Sequence, residues 1–526
     1  MKKLYALLFV FGLFLVSCEE DDAGMPMTTP PEQVVITPGS ANFSNYVSLG
    51  NSLTAGFSDA ALFIAGQEAS LPNMLASNFA LAGGGSFTQP LMADNLGGLT
   101  LGGNPISSNR LILSFASGSP APVPVSGQGS TEVSNVLSGP FNNMGVPGAK
   151  SYHLLAPGYG NVQGVAVGLA NPYFARMASS PTTTILADAA AQGATFFTLW
   201  IGNNDVLGYV VAGGAGTDQT GNLDPSTYAG SDISDPMVVA GSIDAILQTM
   251  TANGAGGVIA NIPDVTTIPF LNTVPFAPLD PTNPAFGPQI PALNAQFAGL
   301  NGAFAFLGVP ERSITFSADA ASAVIIKDES LPDLSAQLTQ VLIGGGLDQG
   351  TATVLGLVYG QARQATANDK LVLTSQTVIA QPNTDAIAFL QGLGVDAATA
   401  GQLSINGITW PLEDQWVLTP DEQATASAAV TTYNQVIGNL ATGYDIALVD
   451  ANTLLTELNT SGFPLADGSR VTAAFGTGGG FSLDGVHPSP RGYAILANAF
   501  VEAINGKYGS NLPGVNPIDF TGLYVN

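Results

Sequence analysis

The chain has 526 residues, of which 12 are Lys or Arg and 38 are Asp or Glu, and its formal net charge at pH 7 is −26. Only 10% of the residues are charged, against roughly a quarter in an average soluble protein. A nucleic-acid-binding protein needs clustered Lys and Arg, and an anionic membrane surface would repel this chain, so both kinds of partner are excluded. Hydrophobic residues make up 46% of the chain, which is enough for a folded core despite 63 Gly and 35 Pro.

The first 18 residues have the layout of a secretory signal peptide. Lys2 and Lys3 precede an apolar run at residues 4–16, which is too short for a membrane-spanning helix of about 20 residues. Cys18 ends the segment and is the only cysteine in the chain, which excludes an intramolecular disulfide and a metal site built on thiolates. We therefore expect residues 1–18 to direct secretion across the inner membrane.

The residues around Cys18 also resemble a bacterial lipobox, Leu15-Val16-Ser17-Cys18. The resemblance implies that Cys18 is diacylated and becomes the mature N-terminus. An incidental thiol at the end of an ordinary signal peptide is the alternative. The acidic residues that follow Cys18 are similar to the tether that directs some Bacteroidetes lipoproteins to the cell surface, although an acidic run is also typical of a solvated leader. We expect an acidic, Pro-rich flexible tether at residues 19–41 and a lipid anchor in the outer membrane or at the cell surface.

Beyond the tether, short apolar runs alternate with helical patterns, which is typical of βα units on a parallel sheet. Four runs are predicted to be buried strands, namely residues 46–49, 195–201, 257–262 and 446–449. Helices are predicted at residues 237–252 and 421–440 and from Pro490 onward, with Ser489 as N-cap and Gly506 as the stop. In an open parallel sheet, ligands bind beyond the carboxyl ends of the strands, so the residues after these runs are candidates for chemistry.

The alternating pattern breaks off between residues 271 and 416. This stretch begins Pro-rich, continues Ala-rich and contains a possible hairpin near Gly407. We interpret it as a partly helical insertion that shapes the substrate cleft, and a separate domain is the alternative. The α/β unit is then divided into a first part at residues 42–270 and a second part at residues 417–526.

Only two histidines could act as a general base, His153 and His487. Asp484 lies three residues before His487, a spacing that allows a carboxylate to accept a hydrogen bond from the imidazole and fix its tautomer. Taken alone, this pair is also typical of a capping aspartate with a satisfied histidine beside it. The only charged residue close to His153 is Lys150, which cannot accept the imidazole proton.

A candidate nucleophile, Ser52, follows the first predicted strand. The small residues around it permit a tight turn that would present the hydroxyl at a helix N-terminus, where the dipole favours negative charge. The alternative is that Ser52 is only the N-cap of that helix.

Four short blocks in order resemble the SGNH (GDSL-type) hydrolase family. They are Gly50-Asn51-Ser52-Leu53, Asn143-Met144-Gly145-Val146-Pro147-Gly148-Ala149, Ile201-Gly202-Asn203-Asn204-Asp205 and the pair Asp484 and His487. The resemblance covers residues 42–270 and 419–506. Asn51 departs from it, because the family usually has Asp before the nucleophile.

The resemblance implies a three-layer α/β/α flavodoxin-like fold and a serine esterase that forms an acyl-enzyme. Ser52 would be the nucleophile, His487 the base and Asp484 its orienting partner. The oxyanion would be held by the Ser52 and Gly148 N–H groups and the Asn204 amide. No cofactor or metal is implied, and the substrate would be a small-molecule, lipid or glycan ester. A surface binding lipoprotein with a relic site and an acyltransferase with the same triad are the alternatives.

Overall fold

A five-stranded parallel sheet forms the centre of the fold in the computed structural model, which describes residues 35–116 and 118–525. Its strands are β1 Tyr46–Gly50, β2 Asn143–Gly145, β3 Phe196–Trp200, β4 Gly256–Ala260 and β5 Ala447–Val449. All neighbours pair in the parallel sense, in the order β5-β4-β3-β1-β2. This is the order of a doubly wound sheet with its switch point between β1 and β3. The predicted α/β class with a central parallel sheet is confirmed.

Four of these strands overlap the four predicted ones. All five residues of β1 and of β3 are buried, as expected of strands covered on both faces, which appear in a sequence as continuous apolar runs. The strand β2 was not predicted, because it has only three residues and two of them are Asn143 and Gly145, which are uncommon in strands. It lies at the edge of the sheet beside β1.

The helices that follow the strands include all those predicted outside the insertion. The α-helices are α1 Ser52–Ala55, α2 Ile64–Glu68, α3 Leu71–Leu81, α4 Val162–Val165, α5 Pro172–Ala175, α6 Ile185–Ala190, α7 Asn204–Val211, α8 Pro236–Thr251, α9 Pro269–Asn272, α10 Ile290–Phe306, α11 Ser335–Gly344, α12 Gln349–Tyr359, α13 Thr384–Gly392, α14 Ala397–Gln402, α15 Pro420–Gly443, α16 Ala451–Thr460 and α17 Pro490–Tyr508. Ser489 caps α17 as predicted, but the predicted stop at Gly506 is wrong. The helix continues to Tyr508 because Gly509, at φ 68°, supplies the left-handed C-cap.

Both faces of the sheet carry hydrophobic cores. Val47, Phe197 and Ile259 belong to one buried cluster together with apolar residues of α8 and α15. Their strand neighbours point the other way, and Phe196 and Val258 belong to a second cluster with apolar residues of α3 and α17. The sheet therefore lies between two helical layers.

The segment at residues 271–416 has a hydrophobic cluster of its own, built from α10 to α12 and short strands. It stays connected to the α/β unit where Lys370–Leu371 pairs with Val417–Leu418, and within the segment Val274 bridges to Leu371. A turn at Gly407, rather than a hairpin of two strands, joins Asn406 to Trp410. The other short strands are Leu99–Leu101, Asn104–Pro105, Leu111–Ser114, Ala121–Pro124, Thr131–Glu132, Ile325–Lys327, Ala362–Gln364, Phe463–Pro464 and Arg470–Val471.

The predicted signal peptide, Cys18 and the tether up to residue 34 lie outside the described residues. The end of the predicted tether belongs to the folded part, because the Thr37 N–H donates to Asn511 Oδ1 at 2.6 Å and the Ser40 N–H donates to the Tyr508 carbonyl at 2.8 Å. Among the residues that the structure describes, no helix is both long and apolar enough to cross a membrane.

Candidate active site

Ser52 stands at the carboxyl end of β1, where the chain turns sharply into α1. Gly50 permits this turn, because a Cβ there would lie 2.2 Å from the Thr54 hydroxyl and 2.4 Å from the Trp200 carbonyl oxygen. Asn51 caps the helix, and its Oδ1 accepts a hydrogen bond from the Leu53 N–H at 3.0 Å. The Ser52 N–H is thereby placed at the helix N-terminus, where backbone N–H groups have no intrahelical partner.

The Ser52 hydroxyl, His487 and Asp484 form a hydrogen-bonded chain. His487 Nε2 lies 2.9 Å from Ser52 Oγ, and His487 Nδ1 lies 2.9 Å from Asp484 Oδ2. Ser52 is only 5% exposed, and the His487 and Asp484 side chains are 15% and 11% exposed. Because an ionised carboxylate only accepts, Nδ1 carries the proton and Nε2 offers its lone pair to the serine hydroxyl. The structure brings these three predicted residues together, although Ser52 and His487 are 435 positions apart in the sequence.

The turn before α17 holds Asp484 in its ionised form. Its Oδ1 accepts hydrogen bonds from the backbone N–H groups of Val486 and His487 and from the Ser482 hydroxyl, at 2.8 to 3.0 Å. Burial alone would raise the pKa of Asp484, but the adjacent His487 and these backbone hydrogen bonds lower it to about 2. The carboxylate is therefore charged across the neutral range and keeps the imidazole in one orientation.

A second loop, which no sequence motif marks, completes the surroundings of Asp484. The Ala60 N–H donates to Asp484 Oδ2 at 2.9 Å, from a tight turn between Ser58 and Ala61. Both central residues of this turn, Asp59 and Ala60, have positive φ, at 51° and 63°. Asp59 is buried, and its Oδ1 accepts the Leu483 N–H at 2.9 Å. Burial raises the pKa of Asp59 to about 6, and the charge of Asp484 adds to the rise.

The two other predicted oxyanion donors lie in neighbouring segments. Asn204 is the first residue of α7, and its Nδ2 donates one hydrogen to the Ala149 carbonyl at 2.9 Å. The next residue, Asp205, accepts from the backbone N–H and the hydroxyl of Ser151 at 2.8 and 2.9 Å. These bonds fix the segment after β2 against the start of α7.

Gly148 occupies an exposed turn in that segment. Its φ of 79° and the preceding Pro147 fit a type II turn, which requires glycine at this position. The segment leaves β2 alongside β1, since the Val146 N–H donates to the Gly50 carbonyl at 3.0 Å. Gly148 is not among the residues that line the pocket beside Ser52, whereas Asn204 and His487 are.

His153 has a different environment from His487. Its Nδ1 accepts a hydrogen bond from the Lys150 N–H at 3.0 Å, and its ring stacks on Tyr159 with centroids 4.4 Å apart. Burial, together with the Lys150 charge, lowers the pKa of His153 to about 4. The imidazole is therefore neutral at pH 7 and contributes to packing.

A pocket lies beside Ser52, with about 850 Å³ of empty space that includes space open to solvent. The side chains with polar groups in its lining are those of Asn51, Ser52, Asn203, Asn204 and His487, together with the indole of Trp200. The remainder of the wall is apolar, and no Asp, Glu, Lys or Arg lines it within the described part of the chain. The segment at residues 271–416, which was expected to shape the cleft, contributes no lining residue. It instead contacts the turn of Asp484 and His487, where Leu373 Cδ2 would lie 3.2 Å from a Cβ on Gly485.

Among residues 35–116 and 118–525, no group of three His, Cys, Asp or Glu side chains is arranged to hold a metal ion. Comparison of the chain with known proteins finds no match among family models, curated proteins or solved structures.

Proposed function

We propose that the protein is a serine hydrolase that cleaves carboxylic esters through an acyl-enzyme on Ser52. The observation that carries the proposal is the chain of hydrogen bonds from Ser52 Oγ through His487 to Asp484, with both links at 2.9 Å. This arrangement is the one that activates a serine hydroxyl, which is a weak nucleophile on its own.

In the first half of the reaction, His487 Nε2 takes the Ser52 proton as Oγ bonds to the ester carbonyl carbon. The oxyanion is stabilised by the Ser52 N–H, by the Gly148 N–H and by the Asn204 amide hydrogen that is not bound to Ala149. The imidazolium, oriented by Asp484, then gives its proton to the leaving alcohol as the carbon–oxygen bond breaks. The acyl group remains on Ser52.

In the second half, water takes the place of the alcohol. His487 removes a proton from that water as it attacks the acyl carbon, and it returns a proton to Ser52 Oγ as the carboxylic acid leaves. Hydrolysis of one ester thus consumes one water and regenerates the free serine. An acyltransferase would differ only in using another alcohol in place of water.

We propose further that the chain is an SGNH (GDSL-type) hydrolase with a flavodoxin-like α/β/α fold. The strand order 2-1-3-4-5 supports this, as do the positions of the first three motif blocks at the carboxyl ends of β1, β2 and β3. Asn51 stands where that family usually has Asp. Its Oδ1 accepts from Leu53, while its Nδ2 donates to Asn203 Oδ1 at 3.2 Å, a bond that an aspartate could not donate. The intact hydrogen-bonded triad favours an enzyme over a binding protein with a relic site.

The proposed location rests on the sequence of residues 15–18, which lie outside the described part of the chain. We propose that the protein is a lipoprotein anchored through Cys18 in the outer membrane or at the cell surface. No nucleic-acid partner is proposed.

The experiment that tests the proposed function is covalent labelling with a fluorophosphonate together with turnover of a panel of esters. Ser52→Ala is expected to abolish both, because it removes the nucleophile. Ser48→Ala is the matched control, since Ser48 lies in β1 just before Ser52 and its hydroxyl makes only two long hydrogen bonds of 3.4 Å. Wild-type labelling of Ser52→Ala would overturn the proposal.

A further inference from the structure

We infer that the pocket beside Ser52 holds the acyl chain of the substrate, and that the substrate is an ester of a fatty acid of about eight carbons or more. The inference rests on the proposed function and names the substrate class of the same site. It depends on what lines the pocket, where the polar groups lie and which side of Ser52 is left open.

Three segments distant in sequence build the apolar wall. The helix α16, which follows β5, contributes Leu454, Leu455 and Leu458, which share one helical face because residues three and four apart are neighbours. The segment after β4 contributes Val265 and Ile268, which are 3% and 4% exposed. The third segment runs from the loop before Asp484 into the first turns of α17. It closes the remaining sides with Phe481, Ile495 and Leu496.

The polar groups of the pocket lie at the end that contains the triad. Asn51 and Asn203 are hydrogen-bonded to each other, Asn204 to Ala149, and His487 to Ser52. A ligand that fits this distribution has one polar end at Ser52 and an apolar remainder. A sugar would place hydroxyl groups against the leucines without hydrogen-bond partners, which is costly. An acetyl group would leave most of the apolar wall in contact with water.

The opposite side of Ser52 provides the route for the alcohol. There the Gly148 turn is exposed, and Phe57 packs on the His487 ring with centroids 4.7 Å apart. The acyl group has to stay in place through both halves of the reaction, whereas the alcohol must leave and water must enter between them. The apolar pocket therefore suits the acyl chain, and the exposed side of Ser52 suits the exchange of alcohol for water.

The test measures kcat/KM on the mature chain with two series of esters. The first varies the acyl chain from acetate to dodecanoate with a p-nitrophenyl leaving group, and the second varies a linear alcohol on a fixed acetyl group. We expect kcat/KM to rise roughly three- to fourfold per added methylene in the acyl series until the pocket is filled. In the alcohol series we expect no such rise.

Leu458→Trp, which fills the pocket from α16, is expected to lower the ratio of decanoate to butyrate kcat/KM at least tenfold. Thr456→Trp is the matched control, because it places the same bulk on the exposed face of the same helix. Ile495→Trp fills the pocket from the opposite wall and replaces Leu458→Trp if circular dichroism shows that the latter is misfolded.

The outcomes separate the two proposals. A flat acyl series, a rise confined to the alcohol series, or an unchanged ratio in folded variants at both pocket positions would overturn the acyl-chain inference while Ser52-dependent turnover continued to support the esterase. Absence of Ser52-dependent turnover and labelling with every ester would overturn the proposed function itself.

Discussion

At the scale of single residues, two neighbouring aspartates show how the surroundings of a carboxyl group decide its charge. The turn before α17 donates backbone hydrogen bonds to the carboxyl groups of both Asp484 and Asp59. Burial disfavours the charge of both. Asp484 faces His487 and a set of backbone donors that lower its pKa to about 2, whereas Asp59 faces the charge of Asp484, and its pKa is raised to about 6. The site thus concentrates its negative charge on the carboxylate that orients the imidazole.

The raised pKa of Asp59 makes the free energy of unfolding depend on pH. Between about pH 4 and pH 6 the folded state binds a proton at Asp59 that the unfolded state has lost, so stability falls as the pH rises through this window. Asp59→Asn removes this dependence. We expect the stability of the variant relative to wild type to increase between pH 4 and pH 7.5, by as much as about 3 kcal/mol.

Urea unfolding of both proteins at the two pH values measures the effect. Burial also raises the pKa of Asp414 and Glu422, but the difference between variant and wild type cancels their contribution. Asp484 adds little in this window, because its contribution is present above its unfolded pKa of about 4 and is lost only as the pH falls toward 2. A difference in stability that stays the same at both pH values would show that the pKa of Asp59 is not raised in the folded protein.

The two histidines are distinguished by what their ring nitrogens contact. His487→Ala is expected to lower kcat by about 10⁴-fold or more, because it removes the base, and Asp484→Ala to lower it by less. His153→Ala is expected to change kcat less than tenfold, since the His153 imidazole is bound to a backbone N–H and stacked on Tyr159. Kinetics at saturating substrate check this, with circular dichroism as the control for folding. An active His487→Ala together with an inactive, folded His153→Ala would reverse the assignment.

At the scale of elements, the sequence predicted the parts of the site that lie within a few residues of one another. Ser52 after its strand and Asp484 before His487 are local patterns, and the structure brings them together. The turn of Asp59 and Ala60 could not be found this way, because it acts through a backbone N–H whose partner is 424 residues away. The pocket was not predictable from sequence for a related reason, since its leucines and isoleucines have the same periodicity as ordinary core residues.

The segment at residues 271–416 now has a different expected role, which is to support the catalytic turn. Within the segment Leu373 makes the contact, since a Cβ on Gly485 would lie 3.2 Å from Leu373 Cδ2. Just before the segment, the Phe270 N–H donates to the Gly485 carbonyl at 2.9 Å. Leu373→Ala is therefore expected to lower kcat between about twofold and 100-fold by loosening the turn that carries His487. The ratio of kcat/KM between long and short acyl esters is expected to stay the same.

Leu393→Ala is the matched control for Leu373→Ala, because Leu393 is 48% exposed in the same segment. A change in the acyl-length ratio without a change in kcat would mean that the segment sets substrate choice after all.

At the scale of the whole molecule, the parallel sheet was predictable because strands buried on both faces appear as apolar runs at regular intervals. The structure of residues 271–416 was less predictable from sequence, because their core forms only when α10, α11 and the short strands come together. Helix α10 has buried residues at intervals along its length, but nothing in its sequence indicates which elements cover them. Long-range packing of this kind decides whether a stretch is an insertion on an existing unit or a unit of its own.

The net charge of −26 and the apolar pocket together bear on where the proposed esterase would meet its substrate. Acyl esters of the inferred length partition into membranes, yet a chain this acidic has no electrostatic attraction to an anionic bilayer. In the proposal, a diacylated Cys18 would supply the attachment instead, since two acyl chains anchor a protein stably where one does not. Cys18→Ser is therefore expected to move the protein from the membrane fraction to the soluble fraction. Its turnover of acyl esters embedded in vesicles should fall, while its turnover of water-soluble p-nitrophenyl esters should match the wild type.

Ser17→Ala is the matched control for Cys18→Ser, because it keeps a small residue before the cysteine and should remain membrane-bound. Mass spectrometry of the mature N-terminus decides the chemistry: a diacylated cysteine is expected, and an unmodified N-terminus produced by cleavage elsewhere would contradict the anchor.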